Sequence, residues 1–203
     1  MLSRALFKGV ARTTLRAGAA RGMTAIPTPD LCDKFDLDVS KLPTEPKIKV
    51  VDPSLNFKNY GGKVAFSGPV STVKAFESNP AVKKAFEEPG NGRVLVVDAG
   101  ASMRCAMLGD MIAELGVKNG WAGIIMYGCI RDSAAIAHMP LGVKALNTHP
   151  VKSHKREAGS RDVSVAFGGV SISPGQYVYA DEDGILVADM PLDQVTASGV
   201  SGS

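Results

Sequence analysis

The sequence is poor in several residue types, and each shortage excludes a class of protein. It holds three cysteines, Cys32, Cys105 and Cys129, widely spaced and odd in number. That is no disulfide framework, and it fits a reducing compartment. Three histidines, His138, His149 and His154, have no metal-ligand spacing, and no CxxC pair is present. Nowhere do about 20 consecutive apolar residues occur, so no segment reads as a membrane-spanning helix. Aromatics make up 6% of the chain, and none is interleaved with the basic residues of 150 to 161, which leaves a solvated loop favoured over a nucleic-acid surface. No Gly-rich nucleotide-binding fingerprint follows a strand-like run.

Acidic residues are missing altogether from positions 1 to 29, where Arg4, Lys8, Arg12, Arg16 and Arg21 give +5. The other 174 residues carry −2, so the overall +3 describes neither part. Spacings of four place Arg4, Lys8, Arg12 and Arg16 on one helical stripe, with Leu2, Leu6, Phe7 and Val10 on another. An Arg-rich, acid-free, amphipathic start with Ser and Thr reads as a transit peptide over residues 1–23, directing the chain to the mitochondrial matrix. The alternatives are a nucleic-acid-binding arm and a surface-lying helix, and without import the chain would be cytoplasmic. A body over 24–192 and a Ser/Gly-rich tail over 193–203 complete the organisation.

With 45% hydrophobic residues, the body can build a substantial core. Thr28 and Pro29 predict a helix start, with Thr28 as its cap. A strand is expected near 48–51, and another over Lys63–Ser67 that stops at Gly68-Pro69, with pairing resuming over Val70–Val73. A helix follows over Asn79–Glu88, ended by Pro89-Gly90. Arg93–Asp98 and Trp121–Tyr127 are apolar, β-branched runs of the kind buried on both faces. Between them the pattern predicts a helix over 103–119 with a break near Gly109, making a right-handed βαβ unit. Short strands follow over 143–146, 163–167, 170–173, 177–180 and 184–188, with Gly- and Asp-rich turns between them.

In such folds ligands gather beyond the carboxyl ends of strands. There the sequence places Asp98 and its Gly-containing loop, then Gly109-Asp110-Met111-Ile112 at a helix start, then Arg131-Asp132. Free N–H groups at a helix start favour an anion. Arg131 can hold a carboxylate through two hydrogen bonds, and Asp132 is a hard oxygen ligand for Mg²⁺ or Mn²⁺. Taken together they describe a site for a small carboxylate bridged to a divalent metal. Taken singly, an adjacent Arg-Asp is also a common surface pair and a Gly before a helix a common turn.

Arg93-Val-Leu-Val-Val-Asp98-Ala-Gly100-Ala-Ser102-Met-Arg104-Cys-Ala106-Met-Leu-Gly109-Asp110 resembles the family of the regulator of ribonuclease activity A. So do Asn119-Gly-Trp-Ala-Gly123, Tyr127-Gly-Cys-Ile-Arg131-Asp132, Gly142-Val-Lys-Ala145 and Tyr179-Ala-Asp-Glu-Asp-Gly184, and the likeness runs over residues 27 to 192. The family includes the class II 4-hydroxy-4-methyl-2-oxoglutarate aldolases. The resemblance implies an α/β fold, a single compact swivelling-type β/β/α domain with a βαβ unit and a C-terminal set of short strands, assembled as a homotrimer. It implies an aldolase that cleaves 4-hydroxy-4-methyl-2-oxoglutarate to two pyruvates and decarboxylates oxaloacetate, both through a metal-stabilised pyruvate enolate. Asp110, twenty residues, then Arg131-Asp132 matches the aldolase signature. By that likeness Gly109, Asp110, Met111, Ile112 and Arg131 contact the 2-oxo acid, Asp110 and Arg131 are catalytic, and Asp132 binds the metal.

One position departs from the pattern. Where the aldolases carry an acidic residue three places after the metal-binding Asp, this chain has Ala135, and losing a water-holding carboxylate lowers metal affinity or activity about 10- to 100-fold. The competing expectation is a non-catalytic trimer that binds and inhibits a ribonuclease or RNA helicase. A methyltransferase acting on a quinone precursor would need the nucleotide fingerprint that the sequence lacks.

Overall fold

In the computed structural model, residues 26–40, 48–156 and 159–194 are described. The anticipated leader and most of the tail lie outside them. The βαβ unit predicted from the two apolar runs is the centre of the fold. Strand β4 (Val94–Asp98) pairs in parallel with β6 (Gly123–Ile130), and β6 pairs in parallel with β7 (Gly142–Thr148). Alternate residues of β4 enter different cores. Leu95 and Val97 face α2 (Pro80–Glu87) and α3 (Asp110–Lys118), while Val94 and Val96 face Val165, Ile172, Val178 and Val187. Burial on both faces is why the run has no polar alternation.

Around this centre the sheet runs β1 (Ile48–Val50), β12 (Ile185–Ala188), β11 (Tyr177–Ala180), β3 (Phe66–Lys74), β4, β6, β7, β2 (Lys58–Asn59). Strand β5 (Ala106–Leu108) joins β6, β8 (Ser160–Arg161) joins β3, and β9 (Val165–Phe167) with β10 (Val170–Ile172) makes a separate hairpin. The chain is an α/β protein with a large sheet and few helices. No helix among the described residues is long and apolar enough to cross a membrane.

Three expectations differ from the structure. Strand β3 does not stop at Gly68-Pro69. It changes partner there: Phe66–Pro69 pairs antiparallel with β11, and Val70–Lys74 pairs in parallel with β4. A proline without an N–H is tolerated where one ladder hands over to the next. Residues 106–108 are strand rather than helix, since a short apolar run does not declare its period and the open edge of β6 supplies hydrogen bonds. The break at Gly109 is where α3 begins. The first helix, α1 (Thr28–Lys34), has Pro27 rather than Thr28 at its cap position. Thr28 is inside the helix instead, donating its N–H and hydroxyl to the Asp181 carboxylate. That contact fastens α1 over Leu186 and Tyr179, with Leu31 fully buried between them.

Candidate functional site

The carboxyl ends of β5 and β6 bring Gly109, Asp110, Arg131 and Asp132 together. The parallel pairing that carries this is short: Leu108 sits opposite Ile130, and the Arg131 N–H donates to the Leu108 carbonyl at 2.9 Å. Register along two strands thus converts a separation of twenty residues into contact. Gly109 is the residue the contact requires. A Cβ there would lie 2.7 Å from Asp132 Oδ2 and 3.1 Å from Arg131 Nε.

Asp132 adopts φ 56° and ψ 34°, the left-handed region, where Asp is among the more tolerated non-glycine residues. This turns its side chain back over Gly109 while its carbonyl starts the short helix α4 (Ser133–Ile136). Oδ2 receives Arg131 Nε at 3.2 Å and the Asp110 N–H at 3.3 Å. The Arg131 and Asp132 side chains are 37% and 36% exposed, so the pair opens to solvent. Arg131 Nη1 and Nη2 have no partner among the described residues. They are the free edge of the guanidinium.

The start of α3 differs from the sequence expectation of free N–H groups. The Met111 N–H donates to Asp110 Oδ1 at 2.7 Å, and the Ile112 N–H to the Gly109 carbonyl at 3.2 Å. The protein's own carboxylates therefore occupy the first donors, because Asp110 is close enough to curl back and Asp132 arrives from β6. Met111 is 76% exposed at the rim, whereas Ile112 packs its side chain against the core beneath α3. Asp98 is not part of this group. It is buried, accepts the Gly100 N–H at 3.0 Å and shapes the loop after β4. Ala135, exposed on α4, donates its N–H to the Asp132 carbonyl at 3.0 Å and accepts the His138 N–H at 3.2 Å.

Asp132 and Asp110 suit a hard divalent cation. Mg²⁺ keeps most of its waters and is held through one or two carboxylates together with substrate oxygens. The described residues bring no group of three or more His, Cys, Asp and Glu together in a metal-binding arrangement, and a water-rich site of that kind needs none. The cysteines offer no alternative nucleophile, since burial pushes the thiols of Cys105 and Cys129 up.

Sequence reasoning assigned no role to Lys144. Within the Gly142–Ala145 motif it reads as one polar residue in a strand, and the structure buries it completely beside a cavity. A lysine flanked by Val143 and Ala145 in an apolar strand was the available signal.

Comparison with known proteins follows the same residues. A family model named RraA-like, described as Aldolase/RraA, matches residues 28–187. A protein of Alkalilimnicola ehrlichii named "Putative 4-hydroxy-4-methyl-2-oxoglutarate aldolase" is 55% identical over 170 residues, covering 84% of this chain and 99% of its own. One of the same name from Pseudomonas fluorescens is 49% identical over 165 residues, covering 81% and 94%. Among solved structures, an S-adenosylmethionine:2-dimethylmenaquinone methyltransferase from Geobacillus kaustophilus is 48% identical with a TM-score of 0.76, covering 84% of this chain and 99% of that one. The RNA-processing inhibitor RraA from Thermus thermophilis is 37% identical with a TM-score of 0.74, covering 83% and 95%.

Proposed function

Because the chain belongs to the RraA-like aldolase family, we propose that it is a divalent-metal-dependent aldolase that cleaves 4-hydroxy-4-methyl-2-oxoglutarate to two pyruvates, with oxaloacetate decarboxylation as a side activity. One observation carries this reading: Arg131 Nε donates to Asp132 Oδ2 at 3.2 Å over Gly109, leaving a guanidinium edge free beside an oxygen ligand. The names of the relatives supply the substrate. Asp132, with Asp110 beside it, would hold Mg²⁺ or Mn²⁺, which when bound supplies a Lewis acid polarising the 2-oxo group.

The chain's own residues do the rest. Arg131 receives the substrate carboxylate on Nη1 and Nη2 and stabilises the negative charge that develops on the enolate oxygen. Asp110, with Oδ1 already on the Met111 N–H, turns Oδ2 to a water that takes the proton from the C4 hydroxyl. The C3–C4 bond then breaks, one pyruvate leaves as the ketone, and the proton held by Asp110 and its water is returned to C3 of the enolate to give the second. Decarboxylation of oxaloacetate reaches the same enolate by loss of CO₂. Gly109 keeps the floor of the site low, Met111 covers its rim, and Ile112 anchors the helix that carries them.

The test is pyruvate release, coupled to lactate dehydrogenase, from both substrates. Chelation is expected to stop it and Mg²⁺ or Mn²⁺ to restore it, and no metal is expected to rescue Asp132→Ala. Turnover that persists in metal-free protein overturns the reading. A second reading, an interaction module that binds and inhibits a ribonuclease or RNA helicase, is favoured by the name of the Thermus neighbour, and absence of turnover on either substrate would shift the assignment to it. The methyltransferase named for the Geobacillus neighbour is not carried over, since the loop after β4 has a single glycine, Gly100, and no nucleotide fingerprint.

Assembly as a homotrimer is part of the same proposal. Its support is a set of large apolar side chains left exposed beyond the strand ends near the site: Phe76, Met103, Met111 and Val151. Light scattering is expected to give about three chains per particle, and Phe76→Glu with Met103→Glu to give one. A wild-type monomer would remove the trimer from the proposal.

A further inference from the structure

Lys144 is the most deeply buried cation among the described residues, at 1% exposure. It lies on β7 opposite Ile125 of β6 and Asn59 of β2. Val143 and Ala145, its neighbours along the strand, face the core under α2 and α3. Lys144 therefore projects from the other side of the sheet. Ile125 precedes Arg131 by six residues, which places Lys144 roughly 20 Å along the sheet from the aldolase site.

On that side is a cavity of about 250 Å³, room for about eight waters at some 30 Å³ each. Lys144 forms part of its wall together with buried Val51 and Ile185 and the ring of Phe57. Its mouth carries three exposed acids, Asp52, Glu182 and Asp183. Asp181, the acid next along the chain, is already committed to Thr28 and to the N–H groups of Asp183 and Gly184. Among the described residues the Lys144 ammonium has neither an ion pair nor a hydrogen bond. Asn59, beside it in register, also keeps a buried amide oxygen without a partner.

A buried ammonium normally has a counter-ion or a full set of acceptors, because removing the charge from water is otherwise uncompensated. Here the acidic mouth gives only a distant field. Burial pushes the amine down, and the charges of Asp181, Glu182 and Asp183 partly oppose that. An anion against Lys144 would supply the counter-charge that the protein's own groups do not.

The mouth restricts which anion can enter. A dicarboxylate or phosphate ester would bring its second charge against Asp52, Glu182 and Asp183. A single carboxylate attached through a short apolar stem to an ammonium meets opposite charge at both ends. We propose that this cavity is a binding site for a small zwitterionic aminocarboxylate, with its carboxylate on Lys144, its stem against Phe57 and Ile185, and its ammonium among the acids of the mouth. This reading is independent of the aldolase assignment, since none of these residues belongs to that site.

The test is calorimetric titration of the full chain with glycine, β-alanine, γ-aminobutyrate and 5-aminovalerate. Butyrate, butylammonium and succinate serve as single-charge and double-negative controls, and every titration is repeated on Asp132→Ala to remove binding at the aldolase site. The expected result is saturable binding that peaks at one stem length, at least tenfold tighter than butyrate or succinate and unchanged by Asp132→Ala. Lys144→Met is expected to weaken it at least tenfold. The exposed pair Glu182→Gln with Asp183→Asn is expected to bring butyrate within about threefold of the best aminocarboxylate. If Lys144→Met does not fold, the mouth variant decides alone. No saturable binding, equal binding across the series, or a preference untouched by the mouth variant overturns the proposal.

Discussion

Gly109 has no side chain, and the aldolase site depends on that. Its backbone is compatible with alanine, yet a methyl group there would lie 2.7 Å from Asp132 Oδ2 and 3.1 Å from Arg131 Nε. The carboxylate and the guanidinium would have to move, and displacement of a positioned group by about 1 Å can cost 10²-fold. Gly109→Ala is expected to lower kcat/KM about 10²-fold and to shift Tm by no more than about 4 °C. Steady-state kinetics beside a thermal melt separate the two effects, and a large fall in Tm would locate the fault in folding instead. Asp110, Arg131 and Asp132 are legible as a group from their positions after strand-like runs and from the resemblance to the aldolase signature. The engagement of the first N–H groups of α3 was not, because it needs Asp132 to arrive from β6 in a left-handed conformation. Thr28 was misread for a similar reason. Its capping chemistry is real, but the acceptor it meets is Asp181, 153 residues away in sequence.

Elements were legible in proportion to the strength of their own pattern. Strands β4 and β6 were found because runs of buried Val and Ile have few alternatives, and α2 because Pro89-Gly90 ends it. The two-residue strands β2 and β8 were invisible, as strand pairs that short exist only where an edge receives them. Near the C-terminus, the turn over Leu192–Gln194 is held by Lys34, whose Nζ donates to the Leu192 carbonyl at 3.0 Å, and by Tyr179. The Tyr179 hydroxyl accepts the Leu192 N–H at 2.7 Å and donates to Asp193 Oδ1 at 3.2 Å. Burial above all, with the Asp193 carboxylate adding to it, pushes this phenol up to about 12. An unfolded tyrosine ionises near 10. The folded state therefore holds its proton where the unfolded state has lost it, so this contribution is complete below pH 10 and is lost as pH rises from 10 through 12. About two units correspond to roughly 2–3 kcal/mol. Urea denaturation at pH 9 and pH 11.5 is expected to show that additional loss in the wild type and not in Tyr179→Phe. Equal losses would assign the alkaline sensitivity to other groups.

For the whole molecule, charge is divided between an acid-free N-terminal segment and a slightly acidic remainder. The family match begins at residue 28, past Arg21, the last of the five basic residues of the acid-free segment. We propose that residues 1–23 direct import into the mitochondrial matrix, on the strength of their acid-free amphipathic pattern. A fluorescent reporter carrying residues 1–30 is expected to localise to mitochondria, and a diffuse cytosolic signal would refute it. In the body, charge acts by placement: Arg131 with Asp132 at one end of the sheet, Lys144 with Glu182 and Asp183 beside the cavity. The sequence by itself determined the α/β class, the parallel centre and the placing of Gly109, Asp110, Arg131 and Asp132 beyond the strand ends, because hydrophobic period and turn chemistry are local properties of the chain. Only the tertiary structure decided that β3 joins two ladders, that β5 is a strand, and that Lys144 lines a cavity without a partner among the described residues. Those outcomes depend on which edges and faces meet, and such contacts join residues that are distant in sequence.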